Sequence, residues 1–274
     1  MVAPSYAAAA TAPSGPYDQG VDISPIQALA LLGVGVVGGV VSILVSLASL
    51  VTYPALLALG LPPVAANVTN TVSLVFNAAG AGVGARSELH GQRPTLARLA
   101  LIAVAGGATG ALLLLVLPSR WFELVAPLLI AGASGLILVQ PWLARRARFR
   151  PRGITPTTAA AYFASTVYTG YFGAAGGIIA IVVLSAVIDR PLIHVNAAKA
   201  ILAGVANGAA ALGFALFGPV RWSFVVPLAT GLFLGGLIGP WLARRLPPTL
   251  FRGLIGVCGL GVAGLLAWQT YAVG

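Results

Sequence analysis

The sequence predicts an all-α membrane protein of two inverted-topology repeats, each with a broken, re-entrant helix plus three full transmembrane helices, about eight full spans and two half-helices in all. Three observations predict it: a composition nearly without charge, apolar runs of span length, and an internal repeat of 129 residues. Of 274 residues, 59% are hydrophobic and 7% charged, and the mean hydropathy is +0.99. A water-soluble domain covers itself with roughly 25% charged residues, so the solvent of this chain is lipid. The net charge of +10 is spread over short loops between apolar runs. Nucleic acid needs a dense basic face on a soluble domain and is set aside as a partner. Cys258 is the one cysteine, which excludes an internal disulfide and a thiolate metal cluster.

Residues 1–24 read as a flexible tail, because the first 22 carry no Lys or Arg and are interrupted by Pro, Ser and Gly. A secretory signal needs a basic start and an unbroken apolar stretch. Residues 25–144 form the first transmembrane repeat. Its spans are 26–46, 65–84, 96–117 and 121–143, each about the 20 residues that cross ~30 Å of hydrocarbon as helix. Residues 145–156 form a basic linker on the cytoplasmic side. Residues 157–274 form the second repeat, with a long stretch over 157–188 interrupted by Gly170, Gly173, Gly176 and Gly177, then spans 194–217, 222–242 and 250–271. None of these runs alternates in polarity as barrel strands do.

Two pieces are too short to span. Residues 49–59 and 177–188 would each be about 17 Å long as helix, roughly half the bilayer. Each follows a small-residue break and ends near a proline, Pro62 or Pro191. Non-helical backbone at membrane depth survives only where protein or water satisfies it, so these half-helices are expected to line a cavity.

Sliding the chain on itself by 129 positions places Pro62 on Pro191, Asn67 on Asn196, Gly84 on Gly213, and Gly106, Gly107 and Gly110 on Gly235, Gly236 and Gly239. Leu117-Pro118 falls on Leu246-Pro247, Phe122 on Phe251, and Gly132 and Gly135 on Gly261 and Gly264. If each broken span and its half-helix form a hairpin, each half contains five membrane segments, and an odd number inverts the second half. Arginine placement agrees. With the linker inside, Arg86, Arg93, Arg98, the five arginines of residues 145–152, Arg190, Arg244, Arg245 and Arg252 are cytoplasmic, and Arg120 and Arg221 are outside with both termini.

Inverted repeats with discontinuous helices are the architecture of secondary transporters, which bind substrate near mid-membrane where the repeats meet. Intramembrane polar residues are candidates for the site. The densest cluster is Asn67, Thr69, Asn70, Thr71, Ser73 and Asn77, and its repeat mate presents Asn196, Lys199 and Asn207. Lys199 is the single lysine, lies about two turns into a span, and has no nearby acid within easy reach. An anionic substrate would meet its ammonium, and in the empty site water or the amides of Asn67, Asn70 and Asn196 would solvate it. The competing expectation has Lys199 snorkel to the interface. Ser49, Gly176 and Gly177 lie at the breaks, where backbone amides can point at an anion. Asn67 and Asn196 could equally cap helices, and Tyr168 and Tyr171 line the cavity or anchor at an interface. The candidate substrate-binding set is therefore Ser49, Asn67, Asn70, Thr71, Gly176, Gly177, Asn196, Lys199 and Asn207. No enzyme motif, metal-ligand set or cofactor motif occurs, and five acids leave little for acid–base chemistry.

The run SLVTYPALLALGLPPVAANVTNTVSL at 49–74 resembles the signature of the TauE/SafE sulfite exporter family of bacterial membrane transporters, and GYFGAAGGIIAIVVLSAVIDRPLIHVNAAKAILAGVANG at 170–208 resembles its second repeat. Family members commonly carry a glycine run where this chain has Leu47, Ala48 and Ser49. The resemblance covers about 30–272. It implies a multi-pass protein of the bacterial inner (cytoplasmic) membrane that exports small anions, often sulfur-containing ones such as sulfite, thiosulfate or sulfoacetate. The partners expected are the anion, membrane lipid and a coupling ion, H+ or Na+, with a homodimer left open. A passive anion channel and a membrane scaffold are the alternatives.

Overall fold

A computed structural model describes residues 23–146, 153–173, 176–245 and 248–272. The proposed tail up to residue 22 and most of the linker, 147–152, lie outside the described residues. Among the described residues every regular element is a helix. The first half holds α1 (Pro25–Val45), α2 (Ser49–Ala58), α3 (Pro63–Gly84), the single turn α4 (Arg86–Leu89), α5 (Arg93–Val116) and α6 (Ser119–Arg146). The second holds α7 (Pro156–Phe172), α8 (Gly176–Val187), α9 (Leu192–Phe217), α10 (Trp222–Ala243) and α11 (Pro248–Ala272).

The helix starts follow local chemistry. Ser24 caps α1 in a reciprocal box with Gln27, and Thr155 caps α7 in the same way with Thr158, each with proline at the first helical position. Both helices end in a left-handed residue, Ser46 (φ 66°) after α1 and Gly173 (φ 71°) after α7. The chain doubles back at each break. Gly38 of α1 packs against Thr52 of α2, and Ser165 Oγ of α7 donates to the Gly176 carbonyl at the start of α8 (2.9 Å). The two short helices anticipated from length alone are thus α2 and α8, each packed as a hairpin on the helix before it.

Among the described residues, five helices are long and apolar enough to cross a membrane: Pro25–Val45, Pro94–Val116, Ser119–Val139, Leu192–Phe217 and Trp222–Ala243. Leu101, Leu112, Leu128, Leu212, Leu216 and Trp268 stand exposed on the outer faces of the helices. A surface this apolar faces lipid, not water, and the chain is an integral membrane protein. α3 is not among the five. Its polar residues Asn67, Thr69, Asn70, Thr71 and Ser73 lower its apolarity, and all are completely buried inside the bundle.

The two halves interlock. Gly35, Gly39 and Ile43 of α1 lie against Gly231, Gly235 and Gly239 of α10, so these helices run parallel. Gly106 and Gly110 of α5 lie against Thr166 and Gly170 of α7, also parallel. Helices that match in the 129-residue register run the other way. Gly204 of α9 packs on Ala78 of α3 while Gly82 of α3 faces Ile201 of α9. Gly259 and Gly256 of α11 meet Ser134 and Leu138 of α6, and Tyr271 donates to the Leu124 carbonyl. α3 with α9 and α6 with α11 are therefore antiparallel. Small residues let these backbones approach closely, the packing device of membrane helices. A Cβ on Gly39 would stand 2.7 Å from the Leu232 carbonyl oxygen and 2.8 Å from the Gly235 Cα.

Candidate functional site

α3 and α9 cross beneath the two breaks, and a cavity of about 50 Å³ lies there. That is room for roughly three or four waters or a small ion. Leu74, Asn77 and Ala78 give one wall from α3, and Ala200, Ala203, Gly204 and Asn207 give the other from α9. Both sets follow the three-and-four spacing of one helical face. The α1 break contributes Ser42, Ser46 and Ala48, and the α7–α8 break contributes Thr169, Gly173, Gly176 and Gly177. Lys199 completes the lining.

Lys199 is buried, and its Nζ donates to Ser46 Oγ (2.5 Å) and to the Ser42 carbonyl (3.4 Å) at the C-terminal end of α1. Unpaired carbonyls make a helix C-terminus partly negative, so the ammonium is held by a helix end and a hydroxyl. No acid lines the cavity among the described residues. Glu88 is bonded to Arg244 at 2.7 Å, Glu123 lies 4.0 Å from Arg120, and Asp189 is exposed. An ammonium has three donors, and two are accounted for. Asn77 and Asn207 are both buried at the cavity, and the Oδ1 of each has no hydrogen-bond partner among the described residues. Gly176 and Gly177 open α8, whose N-terminal amides favour negative charge. The cavity thus combines a cation and a helix N-terminus with no acid among the described residues, which suits a small anionic ligand. The open Asn77 and Asn207 oxygens can accept only from a donor such as a protonated ligand or water.

Four of the nine candidate residues, Gly176, Gly177, Lys199 and Asn207, line this cavity. The other five form its frame. Asn67 Nδ2 donates to the Tyr171 carbonyl and Asn196 Nδ2 to the Ile43 carbonyl, both at 2.9 Å. The repeat-matched asparagines therefore each hold the last turn of the other half's broken helix. Asn70 Nδ2 donates to Ser49 Oγ (2.9 Å), Ser49 Oγ donates to the Gly173 carbonyl (3.0 Å), and Thr52 Oγ1 donates to Asn70 Oδ1 (2.6 Å). Thr71 Oγ1 donates to the Asn67 carbonyl on its own helix. Against expectation, among the described residues the amides of Asn67, Asn70 and Asn196 accept no hydrogen bond from Lys199: Asn70 Oδ1 accepts from Thr52, and Asn67 Oδ1 has no partner. Ser46 and Ser42 accept from Lys199 instead. These serines, with Thr169, were not anticipated. Their sequence signal is faint: two serines four residues apart, the second at the break. Tyr168 and Tyr171 belong to an aromatic cluster with Tyr53, Phe122 and Phe172, whose ring centroids lie 5.8–6.5 Å apart in the closest pairs.

The chain is similar over its whole membrane region to known proteins. Residues 31–266 match the family described as sulfite exporter TauE/SafE. The chain is 24% identical over 254 residues to the probable membrane transporter protein YfcA of Escherichia coli strain K12, covering 91% of this chain and 93% of that protein. It is also 24% identical over 226 residues to the probable membrane transporter protein ORF9 of a Sinorhizobium species, covering 81% and 85%. No solved structure matches it. Both relatives are named as probable membrane transporters, and a family match over most of the chain decides the family. The chain belongs to the sulfite exporter TauE/SafE family.

Proposed function

We propose that the protein is a secondary transporter of small anions, sulfur-containing ones such as sulfite, thiosulfate or an organosulfonate like sulfoacetate, and that it exports them by alternating access. The observation that carries this reading is Lys199: a buried ammonium on the wall of a mid-helix cavity that no carboxylate lines among the described residues. An intramembrane cation without a protein counter-ion is expensive, and an anionic substrate supplies the missing charge. The match to a family described as sulfite exporters favours a sulfur oxyanion. The architecture we propose is two inverted five-segment halves with about eight full spans, in the inner membrane of a bacterium, with both termini outside. The antiparallel courses of α3 against α9 and of α6 against α11 support the inversion, since each pair is matched in the 129-residue register.

Counterflow tests the transport reading. Proteoliposomes loaded with unlabelled sulfite should accumulate external radiolabelled sulfite transiently, and the flux should saturate. A non-saturating leak without counterflow, repeated for thiosulfate and sulfoacetate, would sink the alternating-access reading and leave a channel or a scaffold.

A further inference from the structure

We infer that Ser46 is the positioning residue of the anion site: it holds the Lys199 ammonium on the cavity wall, and the left-handed turn after α1 is built around that contact. The inference rests on the reading of Lys199 as the anion-binding group. Ser46 is the one residue other than glycine with positive φ among the described residues. An L-residue is strained there, and glycine is the usual occupant. Gly173 serves that purpose after α7. A serine kept in the glycine conformation adds one thing, a hydroxyl, and that hydroxyl lies 2.5 Å from Lys199 Nζ. Strain of this kind collects at functional sites.

Two further observations support the assignment. Lys199 and Asn70 occupy the same position of the 129-residue repeat, and both donate to a serine at a break, Asn70 to Ser49 and Lys199 to Ser46. One half thus closes with a neutral network and the other with a cation, so the anion is anchored on the α1–α9 side alone. The Ser46 side chain is also walled in. A Cβ on Gly177 would stand 2.8 Å from Ser46 Cβ, so any larger residue at 177 would displace Ser46, with Lys199 Cδ in contact beside it at 3.5 Å. With no acid lining the cavity among the described residues, Ser46 and the Ser42 carbonyl are what holds the ammonium of a long, flexible lysine at the cavity wall.

Because Lys199 is the only lysine in the chain, protein labelled with ¹⁵Nζ-lysine gives a single side-chain resonance that reports this contact without any ligand. Ser46→Gly relaxes the backbone and removes the acceptor, whereas Ser46→Asn tolerates the left-handed conformation and returns an oxygen. The resonance should move in Ser46→Gly and return toward the wild-type position in Ser46→Asn. Sulfite affinity, read by thermal stabilisation, should fall about tenfold or more in Ser46→Gly, as for loss of a hydrogen bond to a charged group, and recover largely in Ser46→Asn. An unmoved resonance in Ser46→Gly overturns the inference. So does unchanged sulfite affinity in Ser46→Gly when Lys199→Gln has lost it, and the anion reading then stands. Sulfite affinity that survives Lys199→Gln overturns the anion reading itself.

Discussion

At the scale of single residues, the chemistry turns on how Lys199 is satisfied. Its position in the sequence marked it, since a lone lysine two turns into an apolar span is costly. Its partners were not legible, because they come from the other half of the chain: Ser46 and Ser42 lie more than 150 positions away in sequence. The asparagines were legible as a cluster and misleading as a solvation shell. Nδ2 of Asn67 and of Asn196 donates to the Tyr171 and Ile43 carbonyls, which ties these side chains to the other half's broken helix, and neither amide accepts from Lys199. If the third donor of Lys199 meets the substrate, Lys199→Gln should weaken anion binding by about 2–5 kcal/mol, the range for removing one partner of a desolvated charged pair. Lys199→Arg should impair transport as well, because a planar fork does not fit a site shaped for a compact ammonium. Sulfite uptake and thermal stabilisation of folded protein measure both. Wild-type affinity in Lys199→Gln would leave the α8 N-terminus and the side-chain NH2 groups of Asn77 and Asn207 as the candidates for the anion.

At the scale of elements, the half-helices were readable from length and prolines, and their hairpin packing followed from the small residues at the breaks. The glycine register of α1 and α10 was not assigned to that pair in advance, because periodicity marks a close-packing face without naming the partner. The structure names it, and a substitution can test it. Gly39→Leu would drive α1 off α10 and should destabilise the protein by about 1–3 kcal/mol or more, as overpacking does. Gly33→Leu on the same helix meets nothing within 4 Å and should be nearly silent. Equal unfolding midpoints for the two variants in detergent would refute the assigned interface. The turn α4 was invisible in the sequence because four residues carry no period. It presents Glu88, whose carboxylate accepts from Ser87 and Arg244, both at 2.7 Å. Burial alone would raise the carboxyl pKa, but the Ser87 hydroxyl, the Glu88 backbone and Arg244 outweigh it and hold the pKa below the usual value. A depressed folded pKa stabilises the fold fully above the ordinary carboxylate range, and that stability is lost as pH falls through the lowered value. The thermal midpoint should therefore drop on acidification, and Glu88→Gln should flatten that part of the profile. Parallel profiles for the two proteins would show that the Glu88–Arg244 pair contributes nothing.

At the scale of the whole molecule, the 129-residue register rests on glycine, proline and asparagine in fixed positions, which apolar composition alone does not produce. The antiparallel courses of α3 against α9 and of α6 against α11 are what an inverted repeat requires. How the halves meet was not legible, since the crossing of α1 onto α10 and of α5 onto α7 is long-range packing. That packing now bears on topology. Parallel helices share a direction through the bilayer and antiparallel ones oppose it. From the contacts, α1, α3 and α10 run one way, and α5, α7 and α9 run the other. α3 and α5 are joined by a short connection through α4, as α9 and α10 are by residues 218–221, so each consecutive pair reverses direction. Placing the 145–156 linker inside then leaves Arg120 and Arg221 as the only outer arginines, in line with the preference of Lys and Arg for cytoplasmic loops. Both orientations fit the contacts, and only the charge distribution chooses between them. A reporter active in the periplasm should therefore signal when fused after Gly274 and stay silent when inserted at residues 147–152, with a cytoplasmic reporter giving the reverse. If Gly274 and the linker report the same side, the halves are not inverted. If they report opposite sides with Gly274 inside, the inversion survives and the arginines have been outweighed.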